Sequence, residues 1–263
     1  MDLHLLDKVA IVNGASQGIG CAVARTLAEE GARIVMTARR EAPLNAAAEV
    51  VRAETGSRVL AVAADVRRAE DCVRVVENTV KVFGRIDVLV NNDGAPPLGA
   101  IEEFDDVAWQ KAVEQNLYSV IRMVRQTVPH MKAAGGGSII NIAAVSARQP
   151  LAGLGLSVAT WAGVLGYAKT LSLELGPFGI TVNTICPGRI DTGRLALVTR
   201  KRAEQQGEDA DKMMQELLHE VPLRRLGKPE DVAGLVALLV SVRGSFITGA
   251  AIQVDGGLLR SVY

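Results

Sequence analysis

Aromatic residues are scarce in this chain: only 3 % of its 263 residues are Phe, Trp or Tyr. A hydrophobic fraction of 49 % with so few rings leaves Ala, Val, Leu and Ile to fill a substantial core. Cysteine is nearly absent. Cys21, Cys72 and Cys186 are odd in number and far apart, which excludes a disulfide framework and metal-type spacing; all three read as small buried hydrophobes. Net charge is absent as well, since 29 Lys and Arg balance 29 Asp and Glu. That balance argues against nucleic acid or an anionic membrane as partner and removes one barrier to self-association. No apolar run approaches transmembrane length. The opening MDLHLLDK has neither the basic nor the apolar region of a signal peptide, so a cytoplasmic location is expected.

What is present is a rhythm. Short apolar, β-rich runs alternate with longer helical patterns from end to end. Strands are predicted at Lys8–Asn13, Arg33–Thr37, Arg58–Ala63, Ile86–Asn91, Ser138–Ile142, Thr181–Ile185 and Ala251–Val254. Helices are predicted at about Ile19–Glu30, Leu44–Glu54, Ala69–Phe83, Val107–Lys132, Val158–Leu175 and Pro229–Leu239. Strands that are apolar on both faces, each followed by a helix, predict an α/β chain. The expected architecture is a single-domain Rossmann fold over 1–263, a doubly wound parallel seven-stranded sheet with helices on both faces. Thr192–Glu220 breaks the rhythm, being long and charged. It is expected to hold one or two short helices and reads either as a substrate loop or as a solvated excursion.

Directly after the first strand, Asn13-Gly14-Ala15-Ser16-Gln17-Gly18-Ile19-Gly20 sets glycines at G-x3-G-x-G and runs into a helix. A tight turn, close backbone approach and a helix N-terminus suit a dinucleotide diphosphate. At the end of the second strand an acidic residue would favour NAD(H), but the chain has Thr37-Ala38-Arg39-Arg40. A guanidinium pairs a 2′-phosphate that a carboxylate would repel. NADP(H) is therefore favoured over NAD(H) if a dinucleotide binds; alternatively, Arg39 and Arg40 are only a solvated approach to the next helix.

At this point the chain resembles the short-chain dehydrogenase/reductase (SDR) family over essentially its whole length. The glycine loop matches the family's T-G-x3-G-x-G, with Asn13 replacing Thr. Asp65-Val66 stands where the family contacts adenine. Asn91-Asn92-Asp93-Gly94 matches N-N-A-G, with Asp93 replacing Ala. Asn116 matches the asparagine of the catalytic tetrad, and Pro187-Gly188-Arg189-Ile190-Asp191-Thr192 matches the P-G-x3-T stretch beside the nicotinamide. The tail VPLRRLGKPEDVAG…FITGAAIQVDGG is close to the family's C-terminal pattern. The resemblance implies a cofactor set of Gly14, Ser16, Gln17, Gly18, Ile19, Gly20, Arg39, Asp65, Val66, Asn91, Gly94, Pro187, Gly188, Ile190 and Thr192, and no metal.

The match fails at the chemistry. The family has a serine after the fifth strand and a Tyr-x3-Lys on the next helix, thirteen residues on. Here those positions carry Ala144, Ser157 and Trp161. The family's tyrosine exchanges the proton that balances hydride transfer, its phenol acidified by the lysine one turn away. Serine is shorter and far less acidic, Trp161 carries no cation where lysine would hold the nicotinamide ribose, and Ala144 has no hydroxyl. Ser146, Tyr118, Tyr167 and Lys169 do not rebuild the pair; Tyr167 and Lys169, two apart on a helix, do not share a face. Of the tetrad only Asn116 remains. An Asn13 amide donating to the Asp93 carboxylate is expected to replace the family's contact between glycine loop and fourth strand. That carboxylate sits near a dianionic cofactor, so dinucleotide binding is expected to be weakened or lost.

Three functions follow from the resemblance. The first is a non-catalytic subunit that pairs with a catalytically complete SDR paralogue in a hetero-oligomer, tetrameric by family habit. It would belong to an alcohol or hydroxyacyl dehydrogenase system, with an acyl-CoA-type substrate by analogy only. The second is an unorthodox active NADP-dependent oxidoreductase. The third is a dinucleotide- or ligand-binding regulator acting through Thr192–Glu220. A small-molecule pocket lined by Arg148–Leu156 and Leu195–Val198 is expected to be largely apolar.

Overall fold

Runs too short and too β-branched for helices form seven strands: β1 (Val9–Val12), β2 (Arg33–Ala38), β3 (Val59–Ala63), β4 (Val88–Asn91), β5 (Gly137–Ile142), β6 (Ile180–Pro187) and β7 (Ala251–Val254). Between them run α1 (Gly18–Glu29), α2 (Glu41–Thr55), α3 (Ala69–Phe83), α4 (Asp106–Val113), α5 (Ser119–Ala133), α6 (Gly155–Leu175), α7 (Gly193–Gln206), α8 (Ala210–Glu220) and α9 (Pro229–Val240). This computed structural model describes residues 2–261, the side chains of Gln205 and Gln206 excepted; Met1, Val262 and Tyr263 of the expected domain lie outside the described residues.

All seven strands pair in parallel, in the order β3-β2-β1-β4-β5-β6-β7. Period-2 alternation divides the core into two layers. Ala10 and Val12 face α1, α2 and α9; Val9 and Ile11 face α3, α5 and α6. The doubly wound sheet expected from the sequence is present. Its strand order reverses between β1 and β4, and the crevice above that switch point is where such sheets bind ligands. Among the described residues no helix is long and apolar enough to cross a membrane.

Two local features differ from expectation. The helix expected over Val107–Lys132 is interrupted: α4 and α5 are joined by one π-helical turn, Glu114–Tyr118, which contains Asn116. Such turns insert a residue into the i→i−4 ladder and are frequent at functional sites. The insertion at 192–220 holds two helices, the upper number expected, and at 14 and 11 residues α7 and α8 are longer than the short helices expected. Asp209 caps α8 by accepting from the N–H groups of Asp211 and Lys212 at 2.9 Å each. Cys72 and Cys186 are buried, and burial pushes both thiols up to about 11, so they remain protonated apolar fillers as expected. Cys21 is half-buried.

Candidate active site

The glycine loop has the geometry its sequence requires. Gly14 and Gly18 take left-handed φ of 61° and 57°. A Cβ on Gly14 would lie 2.6 Å from the Asn92 carbonyl oxygen, so no side chain fits there. Ala15 ties the loop to β2 by donating to the Thr37 carbonyl at 2.9 Å. Asn92 Nδ2 ties it to β4 by donating to the carbonyls of Asn13 and Gly14 at 3.2 and 3.3 Å. The loop delivers α1, whose N-cap Gln17 makes no side-chain cap and whose first turn carries no acidic residue. Its leading N–H groups remain available to a phosphate. Ser16 and Ile19 flank that turn half-buried, and Gly20 is packed against the Gly14 carbonyl.

Arg39 and Arg40 stand exposed at the end of β2, and among the described residues neither guanidinium makes a hydrogen bond or ion pair. The stretch after β6 closes the opposite side. Gly188 donates to Val254 at 3.0 Å and Asp191 to Gly227 at 2.8 Å, while Ile190 is buried. The Thr192 methyl comes within 3.4 Å of where a Gly18 Cβ would stand. Of this stretch Thr192 approaches the loop, while Gly188 packs against Asp255 and Ile190 against Gly227. Val66, at the exit of β3, is buried.

Asp65 is already engaged. Its carboxylate is gripped by Arg67, with Nε–Oδ1 of 2.8 Å and Nη2–Oδ2 of 2.5 Å. That grip holds its pKa below the ordinary carboxylate range. Its expected adenine contact must share the carboxylate with a guanidinium that the sequence reading missed. Gly94 is exposed beside Asp93.

The expected Asn13–Asp93 bond does not form. Asn13 accepts from the Thr37 hydroxyl at 2.9 Å and donates to Asn91 Oδ1 at 3.2 Å; Asn91 in turn donates to Asn141 Oδ1 at 3.0 Å. All four side chains are buried. Register explains the choice. Val12 pairs with Met36 and with Val90, so Asn13 lies level with Thr37 and Asn91, and Asn91 pairs with Asn141. The result is a continuous polar ladder across four adjacent strands at the switch point. Asp93 lies beyond the end of β4, out of register. It accepts instead from the Gly94 N–H at 2.7 Å. Burial pushes its carboxyl above the ordinary range, against the lowering effect of that bond and of the Arg39 and Arg67 charges.

The tetrad positions come together but hold no acid–base pair. Ser157 and Trp161, one turn apart on α6, are 4 % and 5 % exposed. Ala144 packs against the same apolar cluster as Trp161. Asn116 is fully buried, and its Nδ2 donates to Thr160 Oγ1 at 2.8 Å, while its Oδ1 has no partner. Trp161 lines a space of about 10 Å³ together with Asn13, Val66, Asn91, Asn92, Asp93, Ser119 and Val120. That is room for about one water. Burying an indole of roughly 150–250 Å² contributes on the order of 4–6 kcal/mol, so the ring is a packed plug and not a loose substituent. Tyr167, half-buried on the same helix, has its phenol pushed up by burial. Among the described residues no group of three or more His, Cys, Asp or Glu is placed to hold a metal.

A family model described as enoyl-(acyl carrier protein) reductase matches residues 14–259. The human dehydrogenase/reductase SDR family member 4 is 35 % identical over 254 residues, covering 96 % of this chain and 88 % of that protein. The chain belongs to the short-chain dehydrogenase/reductase family. Among solved SDR structures, the L-sorbose reductase of Gluconobacter frateurii, complexed with NADPH and L-sorbose, is 37 % identical. It superposes with a TM-score of 0.95 over 100 % of both chains. An actinorhodin polyketide ketoreductase with NADPH is 35 % identical, with a TM-score of 0.93 over 97 % of this chain and 98 % of that one.

Within this SDR fold a second cavity of about 180 Å³ opens beside Ala144, between the β5–α6 connection, the end of α8 and the C-terminal segment. Val145, Leu151, Leu258 and Leu259 give it apolar walls. Its other side is polar: Arg189 pairs with Glu220 at 2.8 Å, with Gln149 and Arg260 adjoining. The expected pocket therefore needs two corrections. Leu195–Val198 does not line this cavity, and its lining, though more apolar than polar, carries the charged side chains of Arg189, Glu220 and Arg260. Arg189, Glu220 and Arg260 come from segments distant in sequence, and only the folded chain brings them together.

Proposed function

We propose that this chain is a non-catalytic SDR subunit of an NADP(H)-dependent reductase system, acting beside a related subunit whose tetrad is complete. One observation carries the reading: no group able to exchange a proton with substrate stands at Ala144, Ser157 or Trp161, and the remaining Asn116 amide is committed to Thr160. Losing a general acid–base group alone lowers rates by about 10²–10⁴-fold. The phenols of Tyr118 and Tyr167 are poor replacements: Tyr118 is 45 % exposed, and burial makes Tyr167 less acidic.

The dinucleotide, when bound, supplies hydride chemistry. The glycine loop, the uncapped α1 terminus and the unpaired Arg39 fit its 2′-phosphoadenosine diphosphate portion, and relatives of known structure hold NADPH. Trp161, buried at the position where the family's lysine holds the nicotinamide ribose, offers no cation to it, so no catalytic step is assigned to this chain.

The partner role is supported by what the fold leaves uncovered. α6 is rich in apolar residues, yet Ala159, Ala162, Gly166 and Leu173 lie exposed along its outer side, interrupted there only by Lys169 and Thr170. Helices of that pattern are normally buried. Phe246, just before the edge strand β7, is fully exposed. A partner of the same fold would cover both in the reducing cytoplasm. The test is native mass spectrometry of the protein purified gently from its own cells. A mixed assembly with a subunit that has Ser, Tyr and Lys at the three tetrad positions is expected; a homo-oligomer alone would overturn the proposal.

A further inference from the structure

We infer that the nucleotide site of this chain is a half-site: it takes 2′-phosphorylated adenosine nucleotides by the adenosine–phosphate end alone and makes no productive contact with a nicotinamide ribose. The inference deepens the non-catalytic reading and rests on it. The two ends of the crevice at the switch point are built differently. At the end formed by β1 and β2, the loop that opens α1 keeps its left-handed glycines, its N–H groups are uncapped, and Arg39 and Arg40 are exposed and closed into no ion pair, the Arg39 charge acting only at longer range on Asp65 and Asp93. An anion with a phosphate on the adenosine 2′ position and another on the 5′ position meets complementary charge at both.

At the end formed by β4 and α6, Trp161 is 5 % exposed and, with Asn91, Asn92 and Asp93, lines a space of only about 10 Å³. The Asp93 carboxylate faces the same crevice, so it adds negative charge where a diphosphate-linked ribose would have to pass. The ring cannot swing aside cheaply. It belongs to the apolar cluster that joins α3, α5 and α6 to the sheet, and its helix is anchored through the Thr160–Asn116 bond one residue away. Binding energy in a full dinucleotide site comes from both ends; here only the adenosine end contributes.

The ligands that share this chemistry are NADPH itself and nicotinamide-free 2′-phosphoadenosine nucleotides, and calorimetric titration distinguishes them. The full chain is titrated with adenosine 2′,5′-bisphosphate, AMP, NADPH and reduced nicotinamide mononucleotide. The bisphosphate and NADPH are expected to bind within about threefold of each other, AMP at least tenfold more weakly, and the mononucleotide not measurably. Trp161→Ala is expected to tighten NADPH at least tenfold without changing the bisphosphate, and Arg39→Ala to remove the preference for the bisphosphate over AMP. The unaltered chain decides the matter even if Trp161→Ala fails to fold. NADPH binding tenfold or more tighter than the bisphosphate overturns the half-site, as does failure of the bisphosphate to bind. The two proposals fail separately. A mixed assembly whose isolated chain strongly prefers NADPH keeps the partner role and discards the half-site; a homo-oligomer that binds both ligands equally does the reverse.

Discussion

Replacing Asn13 by Ala tests the polar ladder beneath the nucleotide site. The substitution removes the acceptor of the Thr37 hydroxyl and the donor to Asn91 Oδ1, two bonds of 2.9 and 3.2 Å among side chains 5 % exposed or less. A buried polar group left without its partner costs about 1–3 kcal/mol. Two such losses, partly relieved by one water in the adjoining space, give roughly 2–4 kcal/mol. For a domain of this size each kcal/mol lowers Tm by about 2–4 °C, so the expected drop is roughly 4–16 °C by differential scanning calorimetry. Asn13→Thr, which restores the family residue, keeps a hydroxyl at the same level of the sheet and is expected to lose about half as much. A drop under 2 °C for Asn13→Ala would refute the claim that the ladder holds β1, β2 and β4 together at the switch point.

Asp93→Asn is expected to raise Tm at neutral pH, because it keeps an acceptor for the Gly94 N–H and removes a half-buried charge. The native carboxyl has a raised pKa, so its ionisation destabilises the fold as pH rises from the ordinary carboxylate value of about 3.9 through the raised native one. The advantage of Asn should vanish below that window in melts recorded against pH. Asp87 has the opposite sign. It is buried, and its pKa is lowered although burial pulls it up, because it accepts from Arg85, from the Val9 N–H and from Lys8. Its stabilisation is present above about pH 3.9 and lost as pH falls through the depressed native value; Asp87→Asn should cost about 1.5–3 kcal/mol at pH 7 in denaturant melts. The combination Ala144→Ser, Ser157→Tyr and Trp161→Lys is expected to open the crevice and gain ketone reduction with NADPH over the unaltered chain. A triple variant that binds NADPH in titration yet stays inert would place the divergence beyond the tetrad.

Much of this was legible in the sequence because it depends on local pattern. Short runs apolar on both faces placed every strand within two residues of its observed limits, and the resemblance put Ser157 and Trp161 one turn apart on α6, which begins at Gly155 and not at Val158 as expected. The contact made by Asn13 was not legible. Whether its amide meets Asp93 or Asn91 depends on strand register and on where β4 ends, and neither is written in the residues themselves. The π-turn at Glu114–Tyr118 has no compositional marker; it lies in the part of the α4–α5 helix that packs against α6. The Arg67 grip on Asp65 is two residues long in sequence, and a charged pair that close to a predicted cofactor contact was a signal available to be read. The polar side of the second cavity was not, because Arg189, Glu220 and Arg260 meet only in the folded chain.

The central claim is that the fold persists here without its chemistry. Its most direct test is NADPH oxidation by the purified chain alone, followed by absorbance with L-sorbose and with a ketoacyl thioester. The rate is predicted to equal that of the protein-free mixture. Turnover above that rate, abolished when Gly18 is replaced by a bulky residue that closes the phosphate loop, would contradict the claim, because it would place catalysis at this site.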